Sequence, residues 1–285
     1  MKVITAVVNN PRFIELQHLT LKRYMGCSYE FVVFNDAKGF PDFTNGGDAS
    51  MPEQIAAVCD RLGVRCIRVP NEGHRVNKSA MMRCADAYNY LTRYLVEYPD
   101  QYLCIDSDMF LIREFNPLVA YTDKSSAVVL QMRDNNTFPS IWNGLFYFDT
   151  SRMMNLHQLD WTPMKRSDVG GAMEGWLRAE ADNTFPLPED LRWKNVNGDT
   201  ARVHFIRHLW SSSWDMTEMP TDLRSRSHLC QWLQEDPRNV GGKFFAEIYD
   251  GCILHYRAGG NWRGEGLDAH RRLTDRLFAA IVGDF

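Results

Sequence analysis

Asp106 and Asp108 stand two residues apart inside an apolar run, residues 101–112. On an extended strand, residues two apart point to the same side, so the spacing predicts two carboxylates aimed at one point. Like charges held together in an apolar setting are costly unless a proton or a cation stands between them. A hard divalent ion such as Mn²⁺ or Mg²⁺ meets that need and keeps coordination positions for phosphate oxygens. The bland reading is a strand running out into a solvated Asp-Ser-Asp turn, each carboxylate bonding backbone amides. His255 is the third candidate, placed at the end of a later apolar run and just before a Gly-rich turn. A lone histidine is more often packed or solvated than a ligand, and its strand-end position is what favours the ligand role.

The elements that would position these groups follow a regular order. Short apolar runs at 3–8, 29–34 and 65–69 alternate with amphipathic segments at 12–24 and 52–62, and a long helix is predicted over 77–97. Strand and helix in alternation with short crossovers predict a mostly parallel, Rossmann-like central sheet flanked by helices, an α/β fold. Ligands of such sheets lie at the carboxyl ends of the strands. Asn9, Asp36 and the Asp106/Asp108 pair all fall at strand ends. Asp36 is either a contact to a nucleoside or ordinary turn chemistry. Lys78, in the first turn of the long helix, suits an anion there, or is a solvated lysine.

After the acidic run, strands are predicted at 127–132 and 141–148, joined by a polar loop at 133–140. Gly144 interrupts the second strand, as glycines do where backbone or ligand approaches closely. The carboxyl-terminal half is less regular and reads as an elaboration. It has a helix at 170–181, a loop over 182–199, a strand at 201–209, helices at 221–235 and 267–282, and a strand or hairpin at 244–256. Residues 36–52, rich in Gly, Pro, Asn and Asp, read as a long loop. Trp210 and Trp214 bracket three serines and are read as an exposed lid. No linker or repeat divides the sequence, so residues 1–285 are expected to form one domain.

Composition sets the outer limits. A formal charge of −4 over 285 residues argues against a nucleic-acid surface. No apolar run reaches bilayer length, and residues 1–8 read as a buried strand rather than a leader. The seven cysteines are scattered without a Cys-x-x-Cys pair, which points to neither a disulfide framework nor a zinc site. A cytoplasmic location is the expectation.

Taken in order, these residues resemble a GT-A-fold glycosyltransferase of the glycogenin-like, galactosyltransferase-like family 8. Asn9-Asn10-Pro11-Arg12-Phe13 looks like that family's first-strand Asn-Asp-x-x-Tyr segment, which implies nucleotide contacts for Asn9 and Phe13. Lys78 resembles the basic residue opening the helix before the Asp-x-Asp motif. Asp106-Ser107-Asp108 is similar to the motif itself, followed by Phe115-Asn116-Pro117-Leu118. Trp142-Asn143-Gly144-Leu145 looks like the Phe-Asn-Ser-Gly segment near the acceptor, and Ser167-Asp168-Val169-Gly170 resembles the Asp-Gln-Gly segment. His255 matches the family's third metal ligand.

The resemblance implies metal ligation by Asp106, Asp108 and His255, and donor contacts by Asn9, Phe13, Asp36, Lys78, Ser107, Arg257 and Trp262. It implies catalytic roles for Asn143 and Asp168, although an Asp before a helix is also a common cap. The sequence departs from the family at two motifs, and the loop at 36–52 and the carboxyl-terminal helices have no counterpart in it. Gly260-Asn261 stands where the family carries Lys-Pro, so Arg257 or Arg263 takes over the diphosphate contact in this reading. Val169 replaces a glutamine.

The implied activity is transfer of a hexosyl group from a nucleoside-diphosphate sugar, UDP-linked by preference, to a carbohydrate or glycoconjugate hydroxyl, with retention. Residues 1–112 would hold the nucleotide and 113–285 the acceptor. Three alternatives compete. A haloacid-dehalogenase-type phosphohydrolase would want its acidic motif early and a second acidic pair later, and a sugar nucleotidyltransferase would want a Gly-rich phosphate loop after the first strand. A non-catalytic sugar-binding protein would need no metal triad at all.

Overall fold

The computed structural model describes residues 1–75, 79–133, 138–165, 167–187, 199–260 and 267–285. In chain order its elements are β1 (Lys2–Val7), α1 (Arg12–Tyr24), β2 (Glu30–Asn35), α2 (Met51–Leu62), β3 (Arg65–Arg68), α3 (Ala80–Glu97) and β4 (Gln101–Ile105). There follow β5 (Met109–Leu111), α4 (Pro117–Ala120), β6 (Ser126–Arg133), β7 (Phe138–Asp149), α5 (Glu174–Glu180), β8 (Val203–Phe205) and β9 (His208–Leu209). The last are α6 (Ser227–Glu235), β10 (Glu247–Tyr249), β11 (Ile253–His255) and α7 (Leu267–Gly283).

The helices form where apolar residues recur at helical spacing. On α3 the buried residues Ala85, Tyr88, Leu91, Thr92 and Leu95 make one stripe, and the Ser79 hydroxyl accepts from the Met82 amide at the helix start. Gly63 ends α2 in the left-handed region at φ 65°.

Two sheets result. The central one has seven strands in the order β3-β2-β1-β4-β7-β6-β8. β3, β2, β1 and β4 run parallel through helical crossovers, β7 is antiparallel to both neighbours, and β6 pairs parallel with β8. This is the expected mostly parallel α/β sheet flanked by helices. Strands β1 to β3 are added in one direction and β4 on the other side of β1, so the topological switch point lies between β1 and β4. Alternate residues of the strands bury on opposite faces, Tyr102 and Cys104 against α3 and α5, Leu103 and Ile105 against α1 and α2.

The second sheet is antiparallel, in the order β5-β11-β10-β9. One of its faces, carrying Phe110, Leu254, Ile248 and Leu209, packs on α1, α6 and α7. The chain passes between the sheets three times, from β4 to β5, back from β5 to β6, and from β8 to β9. That corrects two expectations: the runs 101–112 and 201–209 are each a pair of strands in different sheets. The expected helix at 77–97 begins at Ala80, the one at 170–181 is a 3₁₀ turn (Gly171–Met173) followed by α5, and the loop at 36–52 holds a short turn at Phe43–Asn45. No helix among the described residues is long and apolar enough to cross a membrane.

One packing feature predicts a pH response. On β8, His204 Nδ1 lies 3.0 Å from Asp199 Oδ2, and Nε2 lies 3.5 Å from Asp250 Oδ2. Burial alone would lower its pKa, but the two carboxylates raise it to about 9. A raised imidazole stabilises the fold fully below its unfolded value near 6.5, and that contribution is lost as pH climbs to about 9. Stability should therefore fall by about 3 kcal/mol across this window, and urea melts of His204→Asn should show that part of the dependence removed.

Candidate active site

The Asp106-Ser107-Asp108 segment is the link between the two sheets. It is a tight turn rather than a strand: Met109 N–H donates to the Asp106 carbonyl at 3.0 Å. The carboxylates converge because the chain reverses there, not because of strand alternation. Buried Gln17 of α1 fastens the turn, its amide donating to the carbonyls of Asp106 at 2.8 Å and Met109 at 3.2 Å. Asp106 N–H continues the pairing of β4 with β7 by donating to Gly144 O at 2.7 Å.

His255 arrives through the second sheet. β11 pairs antiparallel with β5, with His255 opposite Met109, and the Tyr256 amide donates to the Asp108 carbonyl. The imidazole thus lies beside the turn, and its Nε2 is 3.2 Å from Asp108 Oδ1. One ligand atom from each of Asp106, Asp108 and His255 can be chosen so that all lie within 4.8 Å of one another. The contact at 3.2 Å is an ion pair without hydrogen-bond alignment, and among the described residues Asp108 Oδ1 is buried with no hydrogen-bond partner. An orphaned carboxylate oxygen, a second carboxylate and an imidazole form a donor set that fits a divalent cation.

A residue passed over in the sequence completes this set. Glu247 lies opposite His255 on β10, and its Oε2 accepts from His255 Nδ1 at 2.9 Å and from the Tyr249 hydroxyl at 2.8 Å. A carboxylate behind a ligating histidine fixes the ring and its tautomer. The electrostatics follow the geometry. Burial and the Asp108 charge push Asp106 up to about 7. Burial also acts to raise Asp108, but the His255 charge and the Gly259 amide outweigh it and hold this carboxyl below its ordinary value. For His255, burial is overcome by Asp108 and Glu247, which lift it to about 10. Glu247 is held at about 2 despite its burial, chiefly by His255. Without an ion, the imidazolium is the counter-charge of two carboxylates, and Asp106 is the carboxyl left over.

Glycines make the close approaches. A Cβ on Gly259 would lie 2.6 Å from the Phe13 ring and 2.9 Å from Asp108 Cβ, so only glycine brings its amide to Asp108 Oδ2, at 2.7 Å. A Cβ on Gly144 would lie 2.3 Å from the indole of Trp142, so the approach expected at Gly144 is that of a side chain.

The triad opens into a cavity of about 830 Å³ at the switch point between β1 and β4. Of the residues singled out in the sequence, Asp36, Asp106, Ser107, Asp108, Asn143, Asp168, His255 and Arg257 line it. The Asp36 carboxylate is engaged on both oxygens, by buried Lys38 Nζ at 2.8 Å and by the Asn71 amide at 3.1 Å. Arg257, at φ 60°, donates to the Ser211 hydroxyl at 2.5 Å and stacks on Phe245. Exposed Asp168 sits at the rim on a turn that only glycine permits at 170, where a Cβ would lie 2.2 Å from the Ile141 carbonyl.

Two of the expected donor contacts take a different place. Asn9 is a brace beside the cavity, its amide donating to the carbonyls of Thr44 at 2.6 Å and Gly260 at 2.9 Å. Phe13 is core, packed on Phe110 and Tyr256, because it lies on the buried stripe of α1. The lid reading of 210–214 also changes. Trp214 is fully buried and only Trp210 is exposed, at 37%, while Ser213 closes a turn onto the Trp210 carbonyl. Val169, in the place of the family's glutamine, is core. Lys78, Asn261, Trp262 and Arg263 lie outside the described residues.

Tyr88 from α3 and Gln131 from β6 line the cavity as well, and among the described residues the Tyr88 hydroxyl and Gln131 Oε1 are buried without hydrogen-bond partners. Such atoms are costly to leave unpaired, and a ligand rich in hydroxyls would satisfy them. Neither carried a signal in the sequence beyond membership of an apolar run.

No protein-family model matches the sequence, and no curated protein does either. Among solved structures, a galactosyltransferase LgtC in complex with donor and acceptor sugar analogs is similar at 13% identity, with a TM-score of 0.42 over 96% of this chain and 95% of that one. An active-site mutant of LgtC is similar at 13% identity and a TM-score of 0.43, over 97% and 95%. The functional reading rests on the site's own geometry.

Proposed function

We propose that this chain is a metal-dependent glycosyltransferase, moving a hexosyl group from a nucleoside-diphosphate sugar, with UDP favoured, to a hydroxyl of a carbohydrate or glycoconjugate, with retention at the anomeric carbon. The observation that carries this is the meeting of Asp106, Asp108 and His255, from two sheets, at the wall of a cavity large enough for a nucleotide sugar. A divalent cation bound there, Mn²⁺ or Mg²⁺, supplies Lewis-acid stabilisation of the departing diphosphate.

The chain's own groups do the rest. Glu247 holds the imidazole ring so that Nε2 faces Asp108, and Tyr249 holds Glu247. The Asp36–Lys38–Asn71 cluster, at the end of β2, forms the nucleoside end of the cavity. The Tyr88 hydroxyl, Gln131 and Asn143 bond the hydroxyls of the transferred sugar. Asp168, at the rim, orients the attacking hydroxyl. Ser107 lines the diphosphate path, and Arg257 lies on the same side as His255, where it meets the charge that grows as the glycosidic bond breaks. The nucleoside contacts fall within residues 1–112 and the acceptor contacts within 113–285, while the cation, the diphosphate and the transferred sugar draw on both halves.

The test is a thermal-shift series with nucleoside-diphosphate sugars, with and without Mn²⁺, since binding to the native state alone raises apparent stability. A stabilisation of about 2.7 kcal/mol is expected at a hundred times the dissociation constant, and only with the ion present. Equal shifts without the ion would remove the metal from the reading, and an inverted anomer in the NMR spectrum of the product would remove retention.

A further inference from the structure

One wall of the cavity is a stack of flat rings. His208 and Tyr249 are cross-strand partners on β9 and β10, and their rings stack at 4.9 Å and 13°. Trp210, just past the end of β9, stacks on His208 at 5.1 Å and 4°. Trp142 from β7 stacks on the other side of Tyr249, at 5.4 Å and 15°. The four planes form a continuous ladder, and all four residues line the cavity. Its inner end touches the metal site, with Trp142 5.2 Å from His255 and the Tyr249 hydroxyl on Glu247. Its outer end is Trp210, with one face on His208 and 37% of its surface exposed.

A tryptophan held this way is a rigid apolar plane at the mouth of a polar cavity. Its entropy cost of ordering is already met by the stack beneath it. Beside it stand hydroxyl-bonding groups, the Ser211 hydroxyl and the Arg257 guanidinium that bonds it. An apolar plane flanked by polar donors fits the C–H face and hydroxyl edge of a pyranose ring. The strand order separates this plane from the nucleoside end. Asp36 and Lys38 follow β2, on the far side of β1 from β4, whereas β9 is the edge strand of the second sheet, farthest from β5.

We propose that the outward face of Trp210 is a subsite for a sugar ring of the acceptor, so that the acceptor is a saccharide of more than one residue or a glycoconjugate. This rests on the transferase reading for the word acceptor, but the plane itself does not. The test is saturation-transfer NMR on maltose, lactose and cellobiose in the presence of Mg²⁺ and UDP, with UDP affinity measured in parallel by calorimetry. Saturation should concentrate on the C–H protons of one face of one sugar residue in at least one disaccharide. Trp210→Ala should weaken that disaccharide by about tenfold, Trp210→Phe should restore most of it, and UDP affinity should stay within about twofold.

The proposal is overturned if no disaccharide is saturated, if saturation survives Trp210→Ala, or if Trp210→Ala weakens UDP in proportion, which would assign the plane to a nucleobase. Failure of the transferase reading looks different: Trp210-dependent saturation would persist with no UDP binding to the wild-type protein.

Discussion

Asp106→Asn and Asp108→Asn should both lose Mn²⁺ binding by at least about 100-fold, yet move the stability of the metal-free protein in opposite directions. Losses of outer partners to a metal site alone cost about 10–100-fold in affinity, and each of these changes removes a ligand charge outright. In the metal-free protein the two carboxyls have different work. Asp108 is the ion-pair partner of the His255 imidazolium and accepts the Gly259 amide. Asparagine keeps the shape and the amide contact but leaves the buried imidazolium with Glu247 alone. Breaking a buried pair costs about 3 kcal/mol or more, and Asp108→Asn should be destabilised accordingly.

Among the described residues, Asp106 accepts a hydrogen bond from the Ser107 amide and none from a cationic side chain. Its carboxyl is raised to about 7 by burial and by Asp108. An acid raised in the fold releases its proton less readily there than in the unfolded chain. Stability is therefore lost as pH rises from about 4 to 7, and the full cost, on the order of 4 kcal/mol, applies above that. Asp106→Asn should recover much of it at pH 8 and none at pH 4. Urea melts of the two metal-free variants, with Mn²⁺ titrations by calorimetry, check both signs. A destabilised Asp106→Asn at pH 8, or Mn²⁺ affinity retained by Asp108→Asn, would sink the assignment.

The sequence carried the parts of this site that are local. The helix over 12–24 was legible to the residue, since its buried stripe, Phe13 to Leu21, is unbroken. The same stripe explains why Phe13 misleads: a residue at a motif position and on the inner face of a helix is core first. The Asp106/Asp108 pair was legible by type and spacing, although the cause of its convergence is a turn where the chain changes sheet. An Asp-Ser-Asp turn is one of the two readings of 101–112, but nothing in that run marks a change of sheet, because both strands are buried and no Gly or Pro punctuates them.

Glu247 was out of reach for a related reason. It is an acid on a three-residue strand, and it becomes legible only once the register of β10 against β11 sets it opposite His255. The contrast of Trp210 with Trp214 depends in the same way on β9 ending at Leu209, which composition does not show.

The affinity for Mn²⁺ should climb steeply with pH, because the cation must displace protons that the empty triad holds. His255 keeps its proton to about pH 10 and Asp106 to about pH 7. A ligating imidazole has to be neutral and a ligating carboxyl ionised. Each binding event therefore releases one proton between pH 7 and 9, and approaches two below pH 6. Apparent affinity should rise about tenfold per pH unit in the upper window and more steeply in the lower one.

Glu247→Gln separates the outer carboxylate from the ligands themselves. It removes the support that makes His255 a better ligand, a loss of about 10–100-fold, but it also removes one of the two charges that hold the competing proton. The two effects oppose each other most where the proton matters most. The gap between variant and wild type should then be widest near pH 9 and close toward pH 6. Calorimetry in two buffers of different ionisation enthalpy counts the protons directly. A count near zero at pH 8 would mean that the ion does not take His255 as a ligand, whatever its position beside the two aspartates.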